Sequence, residues 1–360
     1  MKKIFLPVIG IFIILYSCST AKVNSSHTSF IVSTIAFYNV ENLFDTIDTP
    51  NKTDEEFTPS SVKNWNTTKY HQKLKSLSVV FDSIDGKNLP DIIGLEEVEN
   101  RAVLEDLVKE PLLADANYQI IHYESPDFRG IDNALLYNPK AFKPIFQRAI
   151  AIHFPDSIGK AIAEEKTTRD ILYVKGILHN TDTLHIFVNH WTSMYNGEIA
   201  TIPFRVWCAT VLKHETDSLL ATDRNANIIA GGDFNEHVTG SAIHGVLRPD
   251  SSQYENFVPG KLYDLSHYLF TEKEIGSYEY KGKWSSLDHI IVSGSLLNTD
   301  NKISTEKDLM RVLNNDFLLY HYNNQQGKGM RPNRTYGGNK YFGGYSDHLP
   351  VYLQLKIKKV

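Results

Sequence analysis

Between residue 30 and the C-terminus the chain repeats one pattern, a short apolar, β-branched run followed by a turn-rich break. The runs read FIVSTIAFYNV, PDIIGLEEV, YQIIHY, NALLYNP, ILYVKGIL, TLHIFVNHW, NIIAGGDFN, LDHIIVS and PVYLQLKI. Their length and branching make them strands. Between some of them lie helical patterns. The clearest places Tyr70, Leu74, Leu77, Phe81 and Ile84 at three- and four-residue steps, with Asn66 or Thr67 as N-cap. A second runs from Arg101 to Val108 and a third from Phe204 to Leu220. No Gly/Pro-rich linker and no internal repeat divides the series, so the pattern predicts one α/β domain over residues 30–360. Hydrophobic residues make up 42% of 360, enough for a large core, which excludes disorder as the dominant state. The longest stretch without strand or helix pattern is GKGMRPNRTYGGNKYFGG, residues 327–344, which reads as a long loop.

The start, MKKIFLPVIGIFIILYSCST, has basic residues at Lys2 and Lys3 and then an apolar stretch from Ile4 to Tyr16 that is too short to span a bilayer. It reads as an export signal. Cys18 follows Leu15, Tyr16 and Ser17, and the run resembles the lipobox of bacterial lipoproteins, although Tyr16 is unusual there. The alternative is a plain cleaved signal with an incidental cysteine. The resemblance implies a signal over residues 1–18, lipid on a retained Cys18, and a flexible tether over 19–29. It also implies an exported domain held to the membrane by that lipid alone. STAKVN has no acidic run of the kind that marks surface export, so the periplasmic face is expected. Cys208 is the one other cysteine, so no intramolecular disulfide is expected. With 37 basic and 42 acidic side chains there is no general basic footprint, and any polyanion must be gripped locally. A monomer is expected.

The ends of the strands carry polar chemistry that packing alone does not require. FYNVEN delivers Asn39 and Glu41, DIIGLEEVEN delivers Glu96 and Glu97, and IFVNHWTS delivers Asn189 and His190. IIAGGDFNEH delivers Asp233 and Asn235, SSLDHIIV opens with Asp288, and GGYSDHLPV supplies Asp347 and His348. A single aspartate at a strand end is more often a turn residue bonding local backbone N–H groups. Six such stations in one domain strain that account. Glu97 with Glu41 or Asp347 offers hard oxygen ligands, and no cysteine cluster competes, so Mg²⁺ or Mn²⁺ is expected rather than Zn²⁺. Asp288 is suited to orient His348 and raise its basicity. Asp233 and Asn235 alternate along the chain and can face one point. His190 can donate to a phosphoryl oxygen. Together these are parts for attack of water on a phosphate ester.

From Phe30 to Val360 these motifs, in this order, resemble the endonuclease/exonuclease/phosphatase superfamily, the deoxyribonuclease I-like fold. The resemblance implies a four-layer α/β sandwich, two packed mixed β-sheets flanked by helices. It implies that Asn39 and Glu97 hold a divalent metal, with Glu41 and Asp347 on the metal side. It gives His190 and Asn235 to phosphate, Asp233 to the attacking water, and Asp288 to the support of His348. Glu96 stands where that family often has Gln. Arg169 in TTRDILYVKG resembles a phosphate-contacting arginine, with a surface ion pair to Asp170 or Glu165 as the plainer reading. Arg129 and Asp132 in DFRGIDNALLY are further candidates for the cleft wall. After NHW the chain reads TSMYNGE, without the Arg and paired glycines frequent in related exported bacterial proteins. Before SDH, Lys328, Arg331, Arg334 and Lys340 interleave with Tyr336, Tyr341 and Tyr345. Arg331, Arg334 and Tyr336 are therefore expected to contact a nucleic-acid substrate, against a solvated Gly-rich loop.

The expected activity is metal-dependent hydrolysis of a phosphodiester, most readily nucleic acid cut in endonuclease fashion, with Asp233 or His348 as the base. The same fold hosts phosphomonoesterases and phospholipid phosphodiesterases, and motifs alone do not choose among them. An inactive binding module is the alternative from another class. It predicts that the site residues lie scattered.

Overall fold

A computed structural model describes Met1 and residues 29–86, 88–159, 167–251, 254–324 and 327–359. The expected signal, Cys18 and all but the end of the tether lie outside the described residues. In chain order the larger elements are β1 (Phe30–Leu43), α1 (Thr67–Ser83), β2 (Ile92–Val98), α2 (Arg101–Leu107), β3 (Gln119–His122), β4 (Asp132–Tyr137), β5 (Phe142–Ile150), α3 (Asp156–Gly159), β6 (Ile171–Leu178), β7 (Asp182–His190), α4 (Glu198–Thr222) and β8 (Ile228–Asp233). There follow β9 (Leu262–Asp264), α5 (Leu265–Lys273), β10 (Tyr278–Tyr280), β11 (Lys283–Ser285), β12 (Asp288–Ser293), β13 (Ile303–Ser304), β14 (Met310–Val312), β15 (Leu319–Asn324), β16 (Gly327–Pro332), β17 (Tyr336–Gly337), β18 (Lys340–Tyr341) and β19 (Val351–Lys358).

Two mixed sheets form the centre. One runs β13-β19-β1-β2-β4-β3 with β14 also on β19, and the other runs β5-β6-β7-β8-β12-β9. The period-2 alternation decides the layering. On β1, Ile35 and Phe37 enter the core between the sheets, while Ala36 and Tyr38 face outward onto Leu74, Leu77 and Phe81 of α1. In the second sheet Leu172, Val188, Ile229 and Ile290 face the first, and Tyr173, Phe187, Ala230 and Ile291 face Cys208 and Leu212 of α4. The result is helix, sheet, sheet, helix, as the resemblance implied. The Phe37 ring fills the gap between the sheets above Gly231, where a Cβ would meet it at 2.4 Å. That close approach explains the first glycine of GGDFN.

Chain direction gathers the polar stations. β1 and β2 are parallel, with Asn39 opposite Glu96, and β19 runs antiparallel to β1, so its start lies beside the end of β1. In the other sheet β7 and β8 are parallel with His190 opposite Asp233, and antiparallel β12 begins with Asp288 opposite Asp233. Each station therefore falls at the same end of the sandwich.

Every run read as a strand is one, and Asn66 caps α1 by accepting from the Lys69 N–H at 3.2 Å. Two expectations need correction. Residues 327–344 are not one loop, because β16 pairs with β15 and β17 with β18. β5 was absent from the strand pattern. It carries Pro144 at a register shift, which only an edge strand tolerates, and β5 is the edge of its sheet.

Candidate active site

Asp233 is the hub. Its Oδ2 accepts from Asn39 Nδ2 at 3.0 Å and from Asn235 Nδ2 at 3.1 Å, and its Oδ1 from the Asn235 backbone N–H at 2.8 Å. The same Oδ2 faces the Nε2 atoms of His190 and His348, each at 3.7 Å. Those separations exceed a hydrogen bond. His190 Nε2 also faces Glu97 Oε1 at 3.8 Å. Behind His348, its Nδ1 lies 2.9 Å from Asp288 Oδ2, which also accepts from Ser277 Oγ at 2.6 Å. Ser346 holds the turn by accepting from the His348 N–H at 3.1 Å and donating to the Asn39 carbonyl at 2.7 Å.

The backbone at these stations is bent by rule-breaking dihedrals. Glu41, Asn42, Glu97 and Asn235 have φ of 51°, 55°, 63° and 46°. Non-glycine residues enter this left-handed region at a cost of about 1 kcal/mol or more each, and such residues gather at functional sites. In β1 and β2 the bends form a bulge, after which Leu43 pairs with Val98, and Glu41 and Asn42 line the cleft. Glu97 Oε2 accepts the Asn42 N–H at 2.9 Å, locking the ends of β1 and β2 together. Gly232, with φ of 122°, lets β8 approach, since a Cβ there would stand 2.2 Å from the Asn189 carbonyl and 2.6 Å from Glu96 Oε1.

Burial and charge set the protonation states. Burial opposes a charge on His348, but Asp288 and Asp233 outweigh it and hold the imidazole well above its ordinary range. His190 is driven the other way by burial, then by Arg169 and Arg129, and stays neutral. Burial pushes Asp233 up to about 6 against the pull of His348. Glu41 accepts from the backbone N–H groups of Thr335 at 2.6 Å and Tyr336 at 3.1 Å. Burial and then Asp347 push it to about 7, while Lys73 opposes. Lys73 is a buried lysine reaching in from α1, donating to Thr335 Oγ1 and the Tyr345 carbonyl at 2.6 Å each.

This donor set fits a hard divalent cation. It consists of carboxylate and amide oxygens with imidazoles, and Cys208 is buried apart in the α4 layer. The crowding of Glu41 by Asp347, compensated by one buried lysine, is the condition a divalent ion relieves. Glu97 Oε1 has no hydrogen bond among the described residues, whereas Asn39 Oδ1 accepts the Glu41 N–H at 3.0 Å and Glu97 Oε2 the Asn42 N–H. Among the described residues two titratable clusters have metal-ligating spacing, and Glu41, Glu97 and Asp347 do not form one. In the first, Asp233, Asp288 and His348, the Asp288 oxygen is already occupied by Ser277 and His348. The second is His122, Glu124 and Asp132, in which Asp132 accepts from the Ser125 N–H at 2.7 Å and lies 3.0 Å from His122 Nε2. It closes the base of the segment that carries Asp127 and Arg129.

The cleft measures about 660 Å³, and Glu41, Asp347, Arg129, Arg169 and Tyr336 line it. Asp132 is buried at the base of its segment and does not. Among the described residues Arg169 pairs with buried Asp127 and not with Asp170, and Glu165 lies outside them. Its Nη1 lies 3.1 Å from Asp127 and its Nη2 donates to the Trp191 carbonyl, while Nε stays unpartnered. Arg129 shares Asp127 at 3.5 Å. Tyr336 is more buried than expected, its hydroxyl donating to the Lys63 carbonyl at 2.9 Å. Arg331, on β16, and Arg334, just after that strand, line a neighbouring groove rather than the cleft itself. Asp127, Ser277, Tyr278 and Lys73 were missed. The Tyr278 ring lies 4.8 Å from that of His348.

The solved structures that resemble this chain share its fold at low identity. A Bacteroides thetaiotaomicron protein of the endonuclease/exonuclease/phosphatase family is 16% identical, with 92% of this chain and 100% of that chain covered and a TM-score of 0.54. The mannosyl-6-phosphatase of the same organism is 17% identical, with 90% and 99% covered and a TM-score of 0.52. D. rerio TDP2 complexed with single strand DNA product is 16% identical, with 90% and 98% covered and a TM-score of 0.52. No curated protein matches the chain. A family profile matches residues 34–357, nearly the whole described domain. The chain belongs to the Endonuclease/Exonuclease/phosphatase family, whose members are phosphoester hydrolases that use divalent metals.

Proposed function

We propose that the protein is a Mg²⁺- or Mn²⁺-dependent phosphodiesterase that cuts nucleic acid by in-line attack of water. The observation that carries this reading is the Asp233 carboxylate set 3.7 Å from two imidazole Nε2 atoms of opposite charge preference, His190 and His348. A phosphoryl group placed there meets a base on one side and donors on the other. Asp233, fixed by Asn39 and Asn235, takes the proton of the attacking water. His348, kept charged by Asp288, donates from Nε2 to a phosphoryl oxygen as negative charge develops. His190 donates as a neutral imidazole, and Arg169 and Arg129 hold phosphate at the rim. The divalent ion, when bound at Glu97 and Asn39 with Glu41 and Asp347, supplies charge neutralisation at the phosphoryl oxygens.

Single strand DNA product bound to D. rerio TDP2 supports the nucleic-acid choice, and the B. thetaiotaomicron mannosyl-6-phosphatase supplies the competing monoester chemistry on the same fold. The test is hydrolysis of plasmid DNA, RNA, bis-p-nitrophenyl phosphate and mannose 6-phosphate by purified protein, with Mg²⁺, Mn²⁺ or EDTA. Nicking that needs metal and is lost in His348→Ala is expected. Inert DNA with turnover of the sugar phosphate would replace the reading with a phosphomonoesterase. No turnover of any ester would leave a binding module. Glu97→Gln is expected to raise the metal concentration for half-maximal rate about tenfold.

For placement, we infer export, lipid on Cys18, the periplasmic face, and a monomer. No helix of the described residues is long and apolar enough to cross a membrane. Labelling by a fatty-acid analogue that persists in Cys18→Ala would defeat the lipid reading.

A further inference from the structure

Next to the cleft lies a second groove of about 510 Å³ whose chemistry the hydrolytic machinery does not use. The two share a wall. Tyr278 and Tyr336 face the cleft, while the next residues of the same strands, Glu279 and Gly337, face the groove. Three basic side chains, Lys281, Arg331 and Arg334, line it against one acid. That acid, Glu279, is buried, and its carboxylate is taken by the Gly282 backbone N–H.

The arginines are held but not neutralised. Arg331 stands opposite Tyr320 in the β15–β16 register, and its guanidinium lies 4.8 Å from the Tyr320 ring centroid and 5.3 Å from that of Phe342. Stacking fixes the plane of the fork and leaves its N–H edge free for an anion. Arg334 has its Nε buried with no hydrogen-bond partner. Among the described residues neither arginine pairs with a carboxylate. Around these forks the rings of Tyr280, Tyr320 and Phe342 are 59%, 44% and 39% exposed. Each ring has a cation over it, Lys281 at Tyr280 and Arg331 at Tyr320 and Phe342, and a surface of guanidinium forks beside partly exposed rings suits phosphates joined to unpaired bases. A duplex would hide the base faces that those rings need.

We propose that this groove is a second phosphate subsite, in which Arg331 and Arg334 hold the backbone of a single-stranded nucleic acid whose scissile phosphate lies in the cleft. The inference rests on the phosphodiesterase reading and names the form of its substrate. The exposed rings take the bases flanking the cut, and the cleft alone takes a small ester. Specificity for strands over small esters is thus built on the β15–β16 hairpin and the segment that follows it, outside the catalytic residues.

The experiment compares full-length native protein, Arg331→Ala, Arg334→Ala and the double variant on a fluorescein-labelled single-stranded DNA 20-mer and on bis-p-nitrophenyl phosphate. For the strand, relative to the small ester in the same variant, kcat/KM is expected to fall about tenfold per arginine. The salt slope of strand binding is expected to weaken by about 1.4 in the double variant, for two lost phosphate contacts. Arg331→Lys is expected to restore part of the salt slope but not the full ratio. If either alanine variant melts, Arg→Gln at the same position replaces it. An unchanged ratio and slope, with the strand still cut, would overturn the subsite and leave the nuclease standing. A native protein that turns over only the small ester would overturn the substrate reading and this inference with it. Arginine-dependent binding to anionic phospholipid vesicles, with none to the 20-mer, would overturn it as well.

Discussion

Two buried histidine–aspartate pairs flank a single strand. Asp288 and His289 are consecutive on β12 and face opposite sides of its sheet. Asp288 Oδ2 lies 2.9 Å from His348 Nδ1, and His289 Nδ1 lies 3.0 Å from Asp264 Oδ2. Both imidazoles are buried, at 6% and 0% exposure, and both are raised by their carboxylates against the penalty of burial. The pairs differ at the other nitrogen. His289 Nε2 is 2.9 Å from the Glu236 carbonyl, so both ring nitrogens face acceptors and the ring is locked. Among the described residues His348 Nε2 has no hydrogen bond and faces the Asp233 carboxylate at 3.7 Å. A histidine–aspartate pair is therefore structural or chemical according to what its second nitrogen can still reach.

The comparison breaks most openly at His348. His348→Ala is expected to lower kcat on bis-p-nitrophenyl phosphate roughly 10³-fold, about 4 kcal/mol of transition-state stabilisation, with a small shift in Tm. A variant that lost its Tm while keeping most of its rate would make the two pairs equivalent. His289→Leu carries the opposite expectation. Removing one partner of a buried pair costs about 3 kcal/mol because Asp264 is left charged and unpaired. That corresponds to a Tm lower by roughly 6–12 °C in a chain of this size. The rate per folded molecule should stay within a few fold. Asp264 also caps α5 by accepting from the Ser266 N–H at 3.0 Å. Adding Asp264→Asn to His289→Leu keeps that cap, removes the stranded charge, and is expected to recover about 1 kcal/mol.

The same contrast explains what the sequence could reveal. Asn39, Glu97, His190, Asp233, Asp288 and His348 were legible because each interrupts or ends an apolar run, where packing gives no reason for a polar side chain. His289 is equally polar and equally buried, yet it lies inside a strand, and its partner Asp264 is 25 residues away. Nothing local announces that pair. Lys73 did leave a signal, since it falls on the apolar stripe of α1, three residues after Tyr70 and four before Leu77. Asp127 and Tyr278 sit outside the long strands, and only the tertiary fold brings them to the cleft. Which groove Arg331 and Arg334 line is not legible in the sequence, because closeness to His348 along the chain does not fix it and the pairing of β15 to β18 does. The layers were legible for the reason the strands were, because alternation fixes which side chains each sheet buries.

The smallest expected effect tests the charge state on which the comparison depends. With Nδ1 facing a carboxylate and Nε2 facing a carbonyl, His289 satisfies both only as the doubly protonated cation. Burial lowers its affinity for a proton, but Asp264 and the Glu236 carbonyl overcome this, so the folded pKa lies above the unfolded value near 6.5. A folded state that binds the proton more tightly gains stability fully below pH 6.5 and loses it as pH rises through the folded pKa. The stability difference between native protein and His289→Leu should therefore be largest near pH 6. Above 6.5 it should shrink by up to about 1.4 kcal/mol per pH unit. Taking the difference cancels the slopes contributed by His348 and His190, which both proteins share. Urea midpoints from pH 6 to 9 would measure it. A difference that is flat with pH would mean that His289 is neutral and that one of its two contacts is not a hydrogen bond. A difference that grows with pH would reverse the sign and remove the charged pair from that side of the strand.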